Sequence, residues 1–107
     1  MADGKIWAAE RATGASAAVH VQSWTDIAAL EELTRTAALR EYHVRLDEDG
    51  VGDGFGGLLF LVRGNESTFV PRNSWVVVGF GRLVVLDEHS FPALFAVRKT
   101  WAEYGNG

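Results

Sequence analysis

The chain has 107 residues, 48% of them hydrophobic and 11% aromatic, and a formal net charge of −4. This length allows one hydrophobic core, while the absence of cysteine excludes a disulfide framework, a thiolate metal site and a thiol nucleophile. The negative charge disfavours general nucleic-acid binding, and the short apolar runs and the N-terminal composition predict neither a membrane span nor a signal peptide.

The first segment, residues 1–16, is rich in alanine and shows little hydrophobic periodicity. This composition predicts a flexible arm that stays loose unless another part of the chain holds it. Apolar and polar residues then alternate from Ala17 to Trp24, which indicates a half-buried strand. We therefore expect a flexible N-terminal arm over residues 1–16 and a single α+β domain over residues 17–104.

A helix is predicted from Asp26 to Arg40. Ser23-Trp24-Thr25-Asp26 has the form of a capping box, whose serine and acidic side chains satisfy free N–H groups at a helix start. Apolar residues at helical spacing follow, namely Ile27, Leu30, Leu33 and Ala37. Because this stripe ends in alanines, the helix is expected to lie flat against a sheet.

The second half of the chain alternates short apolar runs with turn residues, which is typical of antiparallel strands. Strands are predicted over residues 42–46, 58–62, 67–70, 75–78 and 83–86. Residues 47–57 are interpreted as a solvated loop, because their acidic residues lack EF-hand spacing and their glycines precede no helix that would bind phosphate. The tail from Ala96 is interpreted as either a last strand or a packing arm.

Two of these runs, 75–78 and 83–86, predict a hairpin. Gly79-Phe80-Gly81-Arg82 separates them, and glycine supplies the positive φ that a tight turn needs. Both runs lack alternation, so the hairpin is expected to be covered on both faces. Asp87 then caps a short C-terminal helix of about two turns, which Pro92 limits. The predicted fold is α+β, with one main helix packed on a mainly antiparallel sheet of about five to six strands.

Three stretches also occur together in a recognisable order. Val19-His20-Val21-Gln22-Ser23-Trp24-Thr25 ends a strand, the predicted helix follows, and Pro71-Arg72-Asn73-Ser74-Trp75-Val76-Val77-Val78-Gly79 opens the hairpin. This order resembles a widespread group of small phage and prophage proteins, which have a Gln-Trp-Thr strand, a helix and a Pro-Gly-Asp-Trp-Ile/Val-Val-x-Gly signature. The resemblance covers roughly residues 17–97. It implies a phage origin and a place in the host cytoplasm, without a particular activity.

The chain departs from this pattern at two places. Asn73-Ser74 stands where the group usually has Gly-Asp, and Arg82 stands where the turn usually carries glutamate. If those polar residues serve a function in the group, this chain has altered it.

Aromatic residues in predicted loops or arms indicate a protein interface, since exposed aromatic side chains there more often contact a partner. They are Trp7, Phe55, Phe80 and Trp101. The sequence therefore favours a non-enzymatic phage accessory protein that binds a host protein or itself. The simplest form is a homodimer that covers the outer face of the hairpin.

Two alternatives remain open. Arg63, Arg72 and Arg82 lie near hairpin ends and are candidates to face a small anionic ligand, as in a protein that sequesters a nucleotide signal of host defence. The chain is alternatively a virion or morphogenesis component. Catalysis is not predicted, because His20 and His43 become neighbours only if their strands pair and no base, nucleophile and orienting residue are set together. Neither a cofactor nor a metal is predicted.

Overall fold

The computed structural model describes residues 5–35, 41–47, 58–79 and 81–106. Within these ranges the strands are β1 Trp7–Arg11, β2 Gly14–His20, β3 Tyr42–Asp47, β4 Leu58–Arg63, β5 Glu66–Phe69, β6 Trp75–Gly79, β7 Arg82–Leu86 and β8 Ala96–Thr100. The helices are α1 Trp24–Thr34, α2 Ser90–Leu94 and α3 Trp101–Asn106. The α+β class and the antiparallel pairing are confirmed.

The strands form two sheets, so the expectation of one sheet with a single main helix is wrong. One sheet has the order β7-β6-β2-β1-β8 and the other the order β3-β4-β5. Among the described residues, the strands of the meander β3-β4-β5 pair only with one another, while β6 pairs with β2, placing Val76 opposite Val19. All three helices are short. The division arises because β6 joins a strand that precedes α1 instead of continuing the meander.

The main core lies between the two sheets and α1. It contains the fully buried Val19, Leu30, Leu61 and Val76. At the start of α1, Asp26 Oδ2 accepts the N–H of Ser23 at 2.9 Å, as the capping box predicts. Ile27, Leu30 and Leu33 form the buried stripe. The helix ends at Thr34, earlier than predicted, and residues 36–40 lie outside the described residues.

The expectation of a loose N-terminal arm is wrong for residues 7–16. Strand β1 lies between β2 and β8, and its Ala8 and Ala9 are fully buried. A strand covered on both faces shows no alternation of apolar and polar residues, and alanine carries little β-propensity. Both effects hid this strand from the sequence analysis.

The β6–β7 hairpin forms as predicted, with Gly79 opposite Arg82 and Gly81 at a φ of 74°. Its first strand is covered on both faces, because Val76 faces the main core while Val77 packs with Phe91 of α2 in a second apolar cluster. The helix α2 of the same chain therefore supplies the cover that the sequence required. On β7, Val84 remains 43% exposed.

Candidate functional site

Arg63 and Arg82, two of the three candidate arginines, line one cavity. Arg63 ends β4 and Arg82 begins β7, so the cavity lies where the edge strand of the five-stranded sheet meets the three-stranded sheet. Its volume is about 220 Å³. We call it the intersheet cavity; it is lined by Tyr42, Leu61, Arg63, Glu66, Thr68, Arg82, Leu83 and Val84.

Tyr42 links the two sheets at this cavity. Its hydroxyl oxygen accepts the backbone N–H of Leu83 at 3.2 Å and makes a longer contact of 3.5 Å with Arg63 Nη1. The Leu83 N–H thus points away from β6 and outward from the edge of the five-stranded sheet. An edge strand exposes unpaired backbone groups, so this tyrosine satisfies one donor that the strand ladder leaves free.

Tyr42→Phe is expected to lower the free energy of unfolding by about 1 to 3 kcal/mol, because it leaves the Leu83 N–H without its acceptor. Leu83 is only 8% exposed, so water has little access to replace the lost bond. Urea unfolding measures the change. Tyr104→Phe is the matched control, since that ring is 40% exposed. Equal unfolding midpoints for both variants and the wild type would refute this role of Tyr42.

The two arginines of the intersheet cavity differ in their ion pairing. Arg63 is paired with Glu41, with 3.3 Å between Nε and Oε2. The contact with Tyr42 and the nearby carboxylates of Glu41 and Glu66 raise the pKa of the Arg63 guanidinium. Within the part of the chain that the structure describes, Arg82 makes no ion pair. Arg82 is thus the exposed cation of the cavity that is free to meet a ligand.

Arg72, the third candidate arginine, lines a separate cavity of about 480 Å³. Asp87 and Glu88 line it as well, so two carboxylates face one guanidinium. Asp87 accepts the backbone N–H groups of Ser90 at 2.7 Å and His89 at 2.9 Å, and these bonds lower the pKa of its carboxyl group. The larger cavity therefore disfavours an anion, and the intersheet cavity is smaller than the roughly 300 Å³ typical of whole-ligand pockets.

The turn before β6 contains Asn73 and Ser74, the first of the two places at which the chain departs from the pattern described above. Asn73 adopts a φ of 71°, the left-handed region that glycine enters freely and asparagine tolerates. The buried Ser74 donates its hydroxyl hydrogen to the carbonyl of Pro71 at 2.6 Å, a bond that an ionised aspartate cannot make. Asn73 thus fits the backbone shape that glycine would adopt, while Ser74 makes a hydrogen bond that an aspartate there would not.

Of the aromatic interface candidates, Trp101 is 39% exposed and stacks on Tyr104, with 5.9 Å between ring centroids. Trp7 is half-buried, and Lys5 Nζ lies 5.4 Å from its ring. Phe55 and Phe80 lie outside the described residues. The structure therefore brings neither described tryptophan into the intersheet cavity.

One side of the three-stranded sheet carries an apolar surface that the sequence analysis missed. Phe60 and Phe69 are cross-strand neighbours with ring centroids 5.7 Å apart, and the guanidinium of Arg45 lies 4.7 Å from the Phe60 ring. Phe69 is 44% exposed and Leu58 is 36% exposed. We call Leu58, Phe60 and Phe69 the phenylalanine face. An apolar surface edged by polar residues marks an interaction site in many proteins.

A stack of rings on the outer side of the five-stranded sheet was also missed. Trp75 lies between His20 and Phe91, with centroid distances of 4.3 and 3.9 Å, and Phe91 stacks on Phe95 at 5.2 Å. Arg11 lies over Phe95 at 5.2 Å. These contacts hold α2 on the sheet, so we interpret the rings as structural.

His20 and His43 are not cross-strand neighbours. His20 lies on β2 and His43 on β3, which belong to different sheets, so the condition for their being neighbours is not met. His20 Nε2 instead lies 3.1 Å from the carbonyl oxygen of Asn73. Within the described ranges, no group of three His, Asp or Glu side chains is placed to hold a metal ion. The helices there include none long and apolar enough to cross a membrane.

Comparison of the chain with protein-family models, with curated proteins and with solved structures gave no match. The intersheet cavity and the phenylalanine face are therefore the candidate functional sites of the described chain.

Proposed function

We propose that this protein is a phage-encoded, non-enzymatic accessory protein that acts in the host cytoplasm by binding another protein. The partner is a host protein or a second copy of the chain. The observation that carries the proposal is the phenylalanine face, where Phe69 and Leu58 remain 44% and 36% exposed. Burial of such side chains against a partner is favourable at about 25 cal/mol per Å² of apolar surface.

The composition of this face supports a protein partner. Aromatic residues and arginine are enriched among the residues that dominate binding energy at interfaces, and here Arg45 lies over Phe60 beside Phe69. The sheet side chains project from paired strands, so the face is held rigid before binding and loses little conformational entropy.

Sequestration of a whole nucleotide has less support from the described cavities. The intersheet cavity offers cationic groups but only about 220 Å³, and the Arg72 cavity offers about 480 Å³ with an excess of carboxylates. Neither one combines the size and the charge that a nucleotide phosphate needs.

Phe69→Lys is expected to weaken partner binding by about tenfold or more, because it places a charge in the centre of an apolar contact. Light scattering at micromolar concentration measures self-association, and affinity capture from host lysate measures binding to a host protein. Leu94→Lys is the matched control, since Leu94 is 52% exposed and lies on α2. If self-association or capture changes equally in both variants, the phenylalanine face is not the surface that binds the partner. A monomeric wild type that captures no protein would overturn protein binding.

A further inference from the structure

Hydrogen-bond donors converge on the intersheet cavity. The Tyr42 oxygen accepts the Leu83 N–H and contacts Arg63 Nη1, and the phenol also has a hydrogen of its own to donate. Thr68 presents a second hydroxyl from β5, and Arg82 presents a guanidinium from β7. A ligand group in this cavity must therefore be mainly an acceptor.

The charges at the cavity favour a group with no more than one negative charge. Two guanidinium groups, Arg63 and Arg82, and one carboxylate, Glu66, line it, which leaves a balance of one positive charge. Glu41, whose side chain is 78% exposed, pairs with Arg63 from outside the lining and offsets part of this charge, so Arg82 is the main cation that a ligand meets. A group with a single negative charge matches this balance better than a phosphate monoester, whose charge at neutral pH approaches two.

The size of the cavity fixes how much of a ligand enters. At about 220 Å³ it accepts a functional group on a short side chain and not a whole ligand. Val84 also contributes to the lining and is 43% exposed. A carboxylate forms strong hydrogen bonds with guanidinium and hydroxyl donors of this kind.

We infer that the intersheet cavity binds the carboxylate of an aspartate or glutamate side chain, supplied by the protein partner of the proposed function on which this inference rests. Arg82 and the Tyr42 hydroxyl are the main donors. The acidic side chain anchors the partner beside the edge of β7, while the phenylalanine face is on the other side of the three-stranded sheet.

The experiment is an NMR titration of the full chain with N-acetyl-glutamate methylamide at constant ionic strength, followed by the backbone amide of Leu83. The expected result is a saturable shift of that amide, with no such shift for N-acetyl-glutamine methylamide. Arg82→Gln is expected to weaken binding by about tenfold or more, since it removes a charged donor. Lys99→Gln, which removes one positive charge outside the cavity, is expected to leave binding unchanged.

Three outcomes would overturn the assignment: no saturable shift, an equal shift with the glutamine compound, or an equal loss in the two variants. Tighter binding of inorganic phosphate than of the glutamate compound would assign the cavity to phosphate groups instead. The titration needs no protein partner. Its failure is therefore distinct from that of the proposed function, which is read from capture and self-association with Phe69→Lys.

Discussion

Phe91→Ala is expected to lower the free energy of unfolding by about 3 to 5 kcal/mol, the range for truncating a buried phenylalanine. Phe91 is only 2% exposed and lies 3.9 Å from Trp75, ring centroid to ring centroid. It also packs with Val77 and with the small residues Ala9 and Ala18 in the second apolar cluster. Alanine would leave a cavity there and remove the contact that holds α2. Urea unfolding followed by far-ultraviolet circular dichroism measures the loss.

Phe69→Ala is the matched control, because it truncates the same residue type at a site that is 44% exposed. Its loss is expected to be about 1 kcal/mol or less, since surface substitutions change stability little. If Phe91→Ala and Phe69→Ala destabilise the protein equally, α2 does not form a cover of the hairpin. Phe91→Leu is expected to lie between them, because leucine keeps most of the apolar volume.

The parts of the fold that the sequence predicted correctly depend on local signals. On β3, Tyr42, Val44 and Leu46 alternate with polar residues, and the structure packs these three against the main core. The β6–β7 hairpin was predictable for a similar reason, since glycine-containing turn residues separate two β-branched runs. Periodicity and turn chemistry act over a few residues, so a single sequence contains them in full.

The division into two sheets depends on contacts between distant residues. Strand β6 pairs with β2, so that Trp75 lies opposite His20 across the whole α1–β5 region. The alternative topology, in which the meander continues from β5 to β6 within one sheet, would satisfy the same local patterns. The choice between them depends on how the main core packs around α1, which no short window of sequence contains.

The candidate site was predictable in its residue types but not in its grouping. Arginines near hairpin ends pointed to Arg63, Arg72 and Arg82, yet only Arg63 and Arg82 share a cavity. Their meeting requires the edge of one sheet to lie against the other. A usable signal was the inward position of Tyr42, because a buried tyrosine hydroxyl generally needs a hydrogen-bond partner.

The phenylalanine face was missed because β4 reads as a continuous apolar run. Leu59 and Leu61 are buried in the main core, while Leu58 and Phe60 lie on the opposite side of the strand. A run without alternation predicts cover on both sides. Leu58 of this run is nevertheless 36% exposed, so the described chain leaves this side of β4 open to a partner.

Leu30→Ala is expected to lower the free energy of unfolding by about 2 to 5 kcal/mol, because Leu30 is fully buried where α1 meets both sheets. Removing it leaves a cavity in the core that joins the sheets, so the loss depends on how far β2 and β4 relax. Leu94→Ala, at a leucine that is 52% exposed, is the control and is expected to change stability by about 0.5 kcal/mol. Urea unfolding compares the two. An unchanged midpoint for Leu30→Ala would show that α1 does not supply this core.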